Sequence, residues 1–320
     1  METSRHFTEV RLATLGVSEL DAAIEFYDRA FGFGCLQRGR VPEALAETWR
    51  FDPDNPLEFA IVAPGADARG GLRLLAARKP GKRLWTQANR LTAAGCYALN
   101  FRCRDIHEQL ARIRAAGGEA GTQPHFWEVS DEVHVYDSMS CDPDGTCLDL
   151  FSYARGGDLR GPLDTDVSII QTVALAVADV GRSRAFYNAL GFVELFDRVL
   201  DFDGLQDMLG MDQPVKIHNA NLIKDGDIVP GRVEMFAYLE TGLPAPEPLA
   251  DAATPPNLGI LSFSMVVDDL DSALAAIVDL GAREIARSGS LELPGFGRAR
   301  LATVAGPDGE AIELVEEQSS

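Results

Sequence analysis

Five histidines and 49 acidic side chains carry most of the groups in this 320-residue chain that could move a proton or hold a metal. His218 lies in Val215-Lys-Ile-His218-Asn, where alternation sets the imidazole on the face opposite Val215 and Ile217. Val133-His134-Val135-Tyr136 alternates in the same way and groups His134 with Tyr136. An imidazole titrates near neutrality and serves as acid, base or metal ligand. Two carboxylates, Asp149 and Glu313, end similar strings: Asp142-Pro-Asp-Gly-Thr-Cys-Leu-Asp-Leu150 and Gly306-Pro-Asp-Gly-Glu-Ala-Ile-Glu-Leu314. His6, His107 and His125 carry little signal, and His107 falls in the first turn of a predicted helix.

The composition narrows the partners. A formal net charge of −20 repels a phosphate backbone and an anionic membrane, and no Lys/Arg-rich run offers a local exception. No apolar run approaches the ~20 residues of a membrane-spanning helix, and Met1–His6 lacks a signal-peptide core. Five cysteines (35, 96, 103, 141 and 147) without a CxxC spacing fit reduced thiols in the cytoplasm. The expected partner is a small molecule, with no nucleic acid and no membrane; pairing of edge strands leaves a homodimer open.

The elements that must position these groups come from a repeat. Ala13-Thr-Leu-Gly-Val17 followed by Phe26-Tyr27 recurs as Val173-Ala-Leu-Ala-Val177 followed by Phe186-Tyr187. Ala98-Leu-Asn-Phe-Arg-Cys-Arg-Asp105 is answered by Ser262-Phe-Ser-Met-Val-Val-Asp-Asp269, and each leads to a Pro-Asp-Gly turn and a last strand. Each module reads as a strand, an acidic residue, an amphipathic helix closed near Gly32, Gly117, Gly191 or Gly281, and three further strands. The expected fold is α+β, with four βαβββ modules in two halves. The first half, 1–154, holds modules at about 8–77 and 95–153; the second, 167–318, holds modules at about 168–240 and 258–316. Joints fall at Arg155–Asp166, Ala77–Gly95 and Pro-rich Thr241–Asn257.

This pattern resembles the vicinal oxygen chelate superfamily, which includes glyoxalase I, bleomycin-resistance proteins and ring-cleaving dioxygenases. The resemblance rests on Asp21-Ala-Ala-Ile-Glu-Phe-Tyr27 and on the Pro-Asp-Gly-x-x-Ile-Glu-Leu314 ending, and covers nearly the whole chain. It implies curved mixed sheets with helices on the convex face and a ligand cavity on the concave face. It also implies metal ligands on the first and last strands of a module, usually His and Glu. Those first-strand positions fall at Leu12, Ala98, Thr172 and Ser262, and the last-strand positions at Arg73, Asp149, Glu234 and Glu313. No imidazole occupies any of them, so the family's His-based site is missing.

Three readings follow. In one, Asp149 and Glu313 are solvated remnants, and Arg73 neutralises Asp149 if the first two modules pair. In a second, the last two modules pair and His218, Glu234 and Glu313 form a rebuilt site for Fe, Mn or Zn, which would support a dioxygenase. In a third, no cofactor is needed: Glu234 and Glu313 share a proton, His218 assists, and the protein is a lyase or isomerase. Thr172, Ser262, Asn100, His134, Tyr136 and Asp149 would contact substrate, with Trp85, Phe126 and Trp127 as an aromatic wall. Gly204-Leu-Gln-Asp-Met-Leu-Gly210 reads as a flexible pocket edge. A non-catalytic protein that binds an antibiotic or aromatic metabolite is the alternative to an enzyme.

Overall fold

A computed structural model describes residues 7–120, 123–157, 163–224 and 230–318; His6 and the centre of the 155–166 joint lie outside them. The first module comprises β1 (Phe7–Val17), α1 (Leu20–Phe31), β2 (Gly34–Arg40), β3 (Leu57–Ala63) and β4 (Gly71–Ala77). The second comprises β5 (Ala93–Arg102), α2 (Ile106–Ala115), β6 (His125–Glu128), β7 (His134–Cys141) and β8 (Cys147–Arg155). The third is β9 (Thr172–Ala176), α3 (Val180–Ala189), β10 (Phe192–Leu200), a short α4 (Leu205–Met208), β11 (Lys216–Lys224) and β12 (Arg232–Leu239). After a two-residue β13 (Glu247–Pro248), the fourth is β14 (Gly259–Val267), α5 (Leu270–Asp279), β15 (Arg283–Arg287), β16 (Leu291–Leu293), β17 (Gly297–Ala305) and β18 (Ala311–Glu317).

Local chemistry sets each module. Asp105, Asp179 and Asp269 cap α2, α3 and α5, their carboxylates accepting backbone N–H groups of the first turn. Gly32, Gly117, Gly191 and Gly281 follow the helices at φ of 71°, 95°, 87° and 95°, a conformation that suits glycine. The alternating apolar set Ala13, Leu15 and Val17, with Val173, Leu175, Val177, Phe263, Met265 and Val267, packs with the inner faces of α1, α2, α3 and α5 in one continuous core. The expected helix side of the first strands is therefore the observed one.

The modules combine across the sequence halves. Two curved mixed sheets form. One runs β15-β17-β18-β14-β1-β4-β3-β2 and joins the fourth module to the first; the other runs β10-β11-β12-β9-β5-β8-β7-β6 and joins the third to the second. First strands meet antiparallel at each centre, β1 with β14 and β5 with β9. Each first strand also lies parallel to the last strand of its own module. The halves 1–154 and 167–318 thus order the repeat along the chain, while each sheet takes one module from either half. A second apolar cluster lies on the other faces of the sheets and includes Leu12, Ala98 and Ala174.

Candidate functional site

The register aligns equivalent positions in the four modules. Thr14 is paired with Arg73, Ala174 with Glu234, Asn100 with Asp149 and Ser264 with Glu313. Arg73 in the first sheet therefore stands where Glu234 stands in the second, and Glu313 where Asp149 stands. The two cavities have opposite character for that reason.

In the first sheet the site is filled. Arg73 is 0% exposed and Glu313 1%. Arg73 Nη1 donates to Glu313 Oε2 at 2.8 Å and to Thr14 Oγ1 at 3.0 Å, while Nε and Nη2 donate to the Pro294 carbonyl at 3.2 and 3.1 Å. Ser262 and Ser264 donate to the two carboxylate oxygens at 2.9 and 2.8 Å. Trp49 closes over the guanidinium, 4.7 Å from its ring centroid. The space left beside this knot is about 300 Å³. Arg73 and Glu313 neutralise each other here.

In the second sheet the equivalent site is open, with about 1000 Å³ of space, mouth included. That reaches the upper end of ordinary ligand pockets (roughly 300–1,000 Å³). Asn100, Asp149, Thr172 and Glu234 rise from the four central strands, and Asp137 from β7 and Asn219 and Asn221 from β11 join them. Trp127, Phe196, Phe236 and Tyr97 supply apolar walls, with Met208 and Leu209 at the edge, where Gly204–Gly210 was expected. Trp85 stands behind this wall, edge-on to Tyr97 at 5.0 Å, and Phe126 is exposed on the outer face.

Three acids share this floor. Glu234 accepts from Asn100 Nδ2 at 2.9 Å, Asn219 Nδ2 at 2.6 Å and Asn221 Nδ2 at 3.4 Å. Burial still raises its pKa above the usual glutamate value, against the pull of the Asn219 amide. Asp137 and Asp149 stand on the facing strands β7 and β8, diagonal across the Met139–Asp149 pair, and share the cavity floor. Burial raises both, and the charge of Asp137 pushes Asp149 further, well above the ordinary aspartate range, so the two titrate as a pair. The amide oxygens of Asn100, Asn219 and Asn221 and the hydroxyl of Thr172 have no protein partner. Buried acceptors without a protein donor are costly unless water or a bound molecule supplies one.

Several expected site residues lie elsewhere. His218 points to the helix side, where Nε2 meets Asp197 Oδ1 at 2.6 Å; Ile217, Asn219 and Asn221 take the cavity face. Glu234 and Glu313 belong to different sheets, so the proposed His218, Glu234 and Glu313 set is not assembled. Arg73 pairs with Glu313 rather than Asp149. His134 and Tyr136 turn outward, Tyr136 being 39% exposed, while Val133, Val135 and Asp137 line the cavity. Asn100, Thr172, Glu234 and Asp149 do converge, and Ser262 lies against Glu313. Asp137, Asn219 and Asn221 are the residues that the sequence reading missed; Ala220 and Leu222, which enter the helix-side core, mark the parity that would have found the two asparagines.

The fold implies Fe, Mn or Zn on imidazole and carboxylate. The residues present do not fit it: this cavity is lined by no imidazole, and the carboxylate of Glu234 faces three amide N–H donors. Among the described residues, no group of three or more His, Cys, Asp or Glu is placed to hold a metal ion.

Comparison with known proteins agrees with the architecture. A family model described as a glyoxalase-like domain matches residues 13–134. No curated protein matches. Glyoxalase I from Zea mays has a similar structure, with a TM-score of 0.65 and 20% identity, covering 99% of this chain and 95% of that one. A putative dioxygenase from Bacillus subtilis aligns with a TM-score of 0.58 and 10% identity, covering 99% of this chain and 87% of that one. The fourfold βαβββ module, its strand order and these likenesses show that the chain shares the fold of glyoxalase I, with a glyoxalase-like domain matched over residues 13–134.

Proposed function

We propose that the cavity of the second sheet binds a small, largely planar organic molecule and transfers a proton on it without a metal. The observation that carries this reading is the Asp137–Asp149 pair on the floor of an aromatic-walled cavity. A neutral acid beside a carboxylate supplies both halves of an isomerase or lyase reaction: Asp149 donates to an oxygen that gains charge, and Asp137 or Glu234 accepts a proton from carbon. The free oxygens of Asn100, Asn219, Asn221 and Thr172 orient hydroxyl or amine groups of the bound molecule. Trp127, Phe196 and Phe236 take its apolar body. Five free thiols support a reducing, cytoplasmic setting.

The test is deuterium incorporation from D2O at carbon next to carbonyl, followed by NMR over a panel of small aromatic ketones and hydroxyketones. Compounds that bind are expected to exchange, and Asp149→Asn is expected to slow exchange by about 10²–10⁴-fold. Binding without exchange would refute the enzymatic reading. It would favour the second one, a sequestering protein for an aromatic metabolite or antibiotic, which the apolar walls alone could serve.

A further inference from the structure

The hairpin that ends at the cavity carries a pair of cysteines unlike the other three. Cys141, the last residue of β7, lies directly opposite Cys147, the first of β8. The backbone N–H and C=O of Cys141 are both engaged by Glu119, at 2.7 and 2.9 Å, so they point away from β8. The neighbouring ladder bond runs from Asp142 N to Thr146 O at 3.1 Å. Cys141 and Cys147 are therefore a non-hydrogen-bonded antiparallel pair, the kind whose Cα atoms approach to ~4.5 Å and whose side chains lie closest. That spacing falls inside the range a disulfide requires, roughly 4.4–6.8 Å.

We propose that Cys141 and Cys147 form a redox-active dithiol, which hydrogen peroxide converts to a cross-strand disulfide beside the cavity. The facing Cys141 thiol, together with the nearby charge of Arg90, holds the Cys147 thiol below its usual pKa despite burial. Burial instead raises Cys96 and Cys103, the latter to about 12, and Cys35 lies exposed on β2 with no thiol beside it. Cys141 is half-buried, while Cys147 is buried.

The chemistry balances. The Cys147 sulfur attacks one peroxide oxygen, the O–O bond breaks, and hydroxide leaves as water after taking a proton, giving a sulfenic acid. The Cys141 sulfur then attacks that sulfur, the S–O bond breaks, and a second water leaves with the Cys141 proton. Two thiols lose two electrons, and one peroxide is reduced to two waters. Each cysteine lies two residues along its strand from Met139 or Asp149 on the cavity face, so the new bond would tie the two strands that hold the acid pair. This site stands independently of the reaction proposed for the cavity.

The experiment exposes the full-length protein to a few equivalents of hydrogen peroxide, blocks free thiols with N-ethylmaleimide after unfolding, and digests without reductant. Trypsin leaves both cysteines on one peptide, because no Lys or Arg lies between Arg114 and Arg155. The expected peptide is unalkylated and lighter by two hydrogen masses, and dithiothreitol before blocking restores double alkylation. In Cys141→Ser, Cys147 is expected to stop at the sulfenic acid and take up dimedone. A doubly alkylated peptide under peroxide that oxidises Cys35 would overturn the proposal. So would sulfinic acid without disulfide in the wild-type protein, a result that needs no variant to fold.

Discussion

Arg73 and Glu234 occupy the same place in two copies of one module, and this single difference separates a filled site from an open one. The Arg73–Glu313 pair is fully desolvated, and its remaining hydrogen-bonding groups are met by Thr14, Ser262, Ser264 and Pro294. Removing one partner of such a pair leaves a buried charge without compensation. Arg73→Leu should therefore cost about 3–5 kcal/mol in chemical denaturation, and the double variant Arg73→Leu/Glu313→Leu clearly less. Equal costs for the single and double variants would show that the charges do not depend on each other. At this scale the sequence was legible on the central strands: Asn100, Asp149, Thr172 and Glu234 face one cavity, as expected. It misled at His218 and His134, because apolar side chains were read as facing the helices. An apolar cavity has its own hydrophobic face, and Ile217, Val133 and Val135 line it.

The elements are held in register by two repeated contacts between a helix and a turn. Tyr27 of α1 donates to Asp142 Oδ2 at 3.0 Å, and Tyr187 of α3 donates to Glu310 Oε1 at 2.7 Å. The Phe-Tyr and Pro-Asp-Gly strings, legible as repeats, turn out to be the two ends of these ties. Both acids are buried, and burial raises Asp142 to about 6 and Glu310 to about 7. A raised acid pKa means that the folded state holds the proton more tightly than the unfolded one. Stability is then greatest below the unfolded value and declines as pH rises toward the folded one. From an ordinary glutamate value of 4.5, Glu310 alone should withdraw about 3 kcal/mol between pH 4.5 and 7. Unfolding free energies of the wild type and Glu310→Gln across that window should diverge in slope by this amount. Parallel curves would assign the pH dependence to other groups.

For the whole molecule, the pairing of first with fourth module and second with third makes the two halves interdependent. The repeat made four modules legible, but all four first strands are similar enough that no pattern says which will meet. The Tyr27–Asp142 and Tyr187–Glu310 ties then link the two sheets. Residues 1–157 expressed alone should lack a cooperative thermal transition, since β1 and β5 have each lost their antiparallel neighbour. Co-expression with residues 163–320 should restore it. A first half that folds cooperatively as a monomer would show that its two modules can pair with each other. The charge of −20 fits this architecture as well: the two sites hold only the carboxylates of Asp137, Asp149, Glu234 and Glu313 among the described residues, so most of the acidic excess is carried elsewhere.

One sheet commits Glu313 to an ion pair, whereas we propose that the other keeps a proton between Asp137 and Asp149. Carboxyl 13C NMR of the intact protein as a function of pH tests it most directly, with Asp149→Asn assigning the resonance. The Asp149 carboxyl is predicted to titrate well above the usual aspartate range and after that of Asp137. An Asp149 that ionises as an ordinary aspartate, independently of Asp137, would contradict the account.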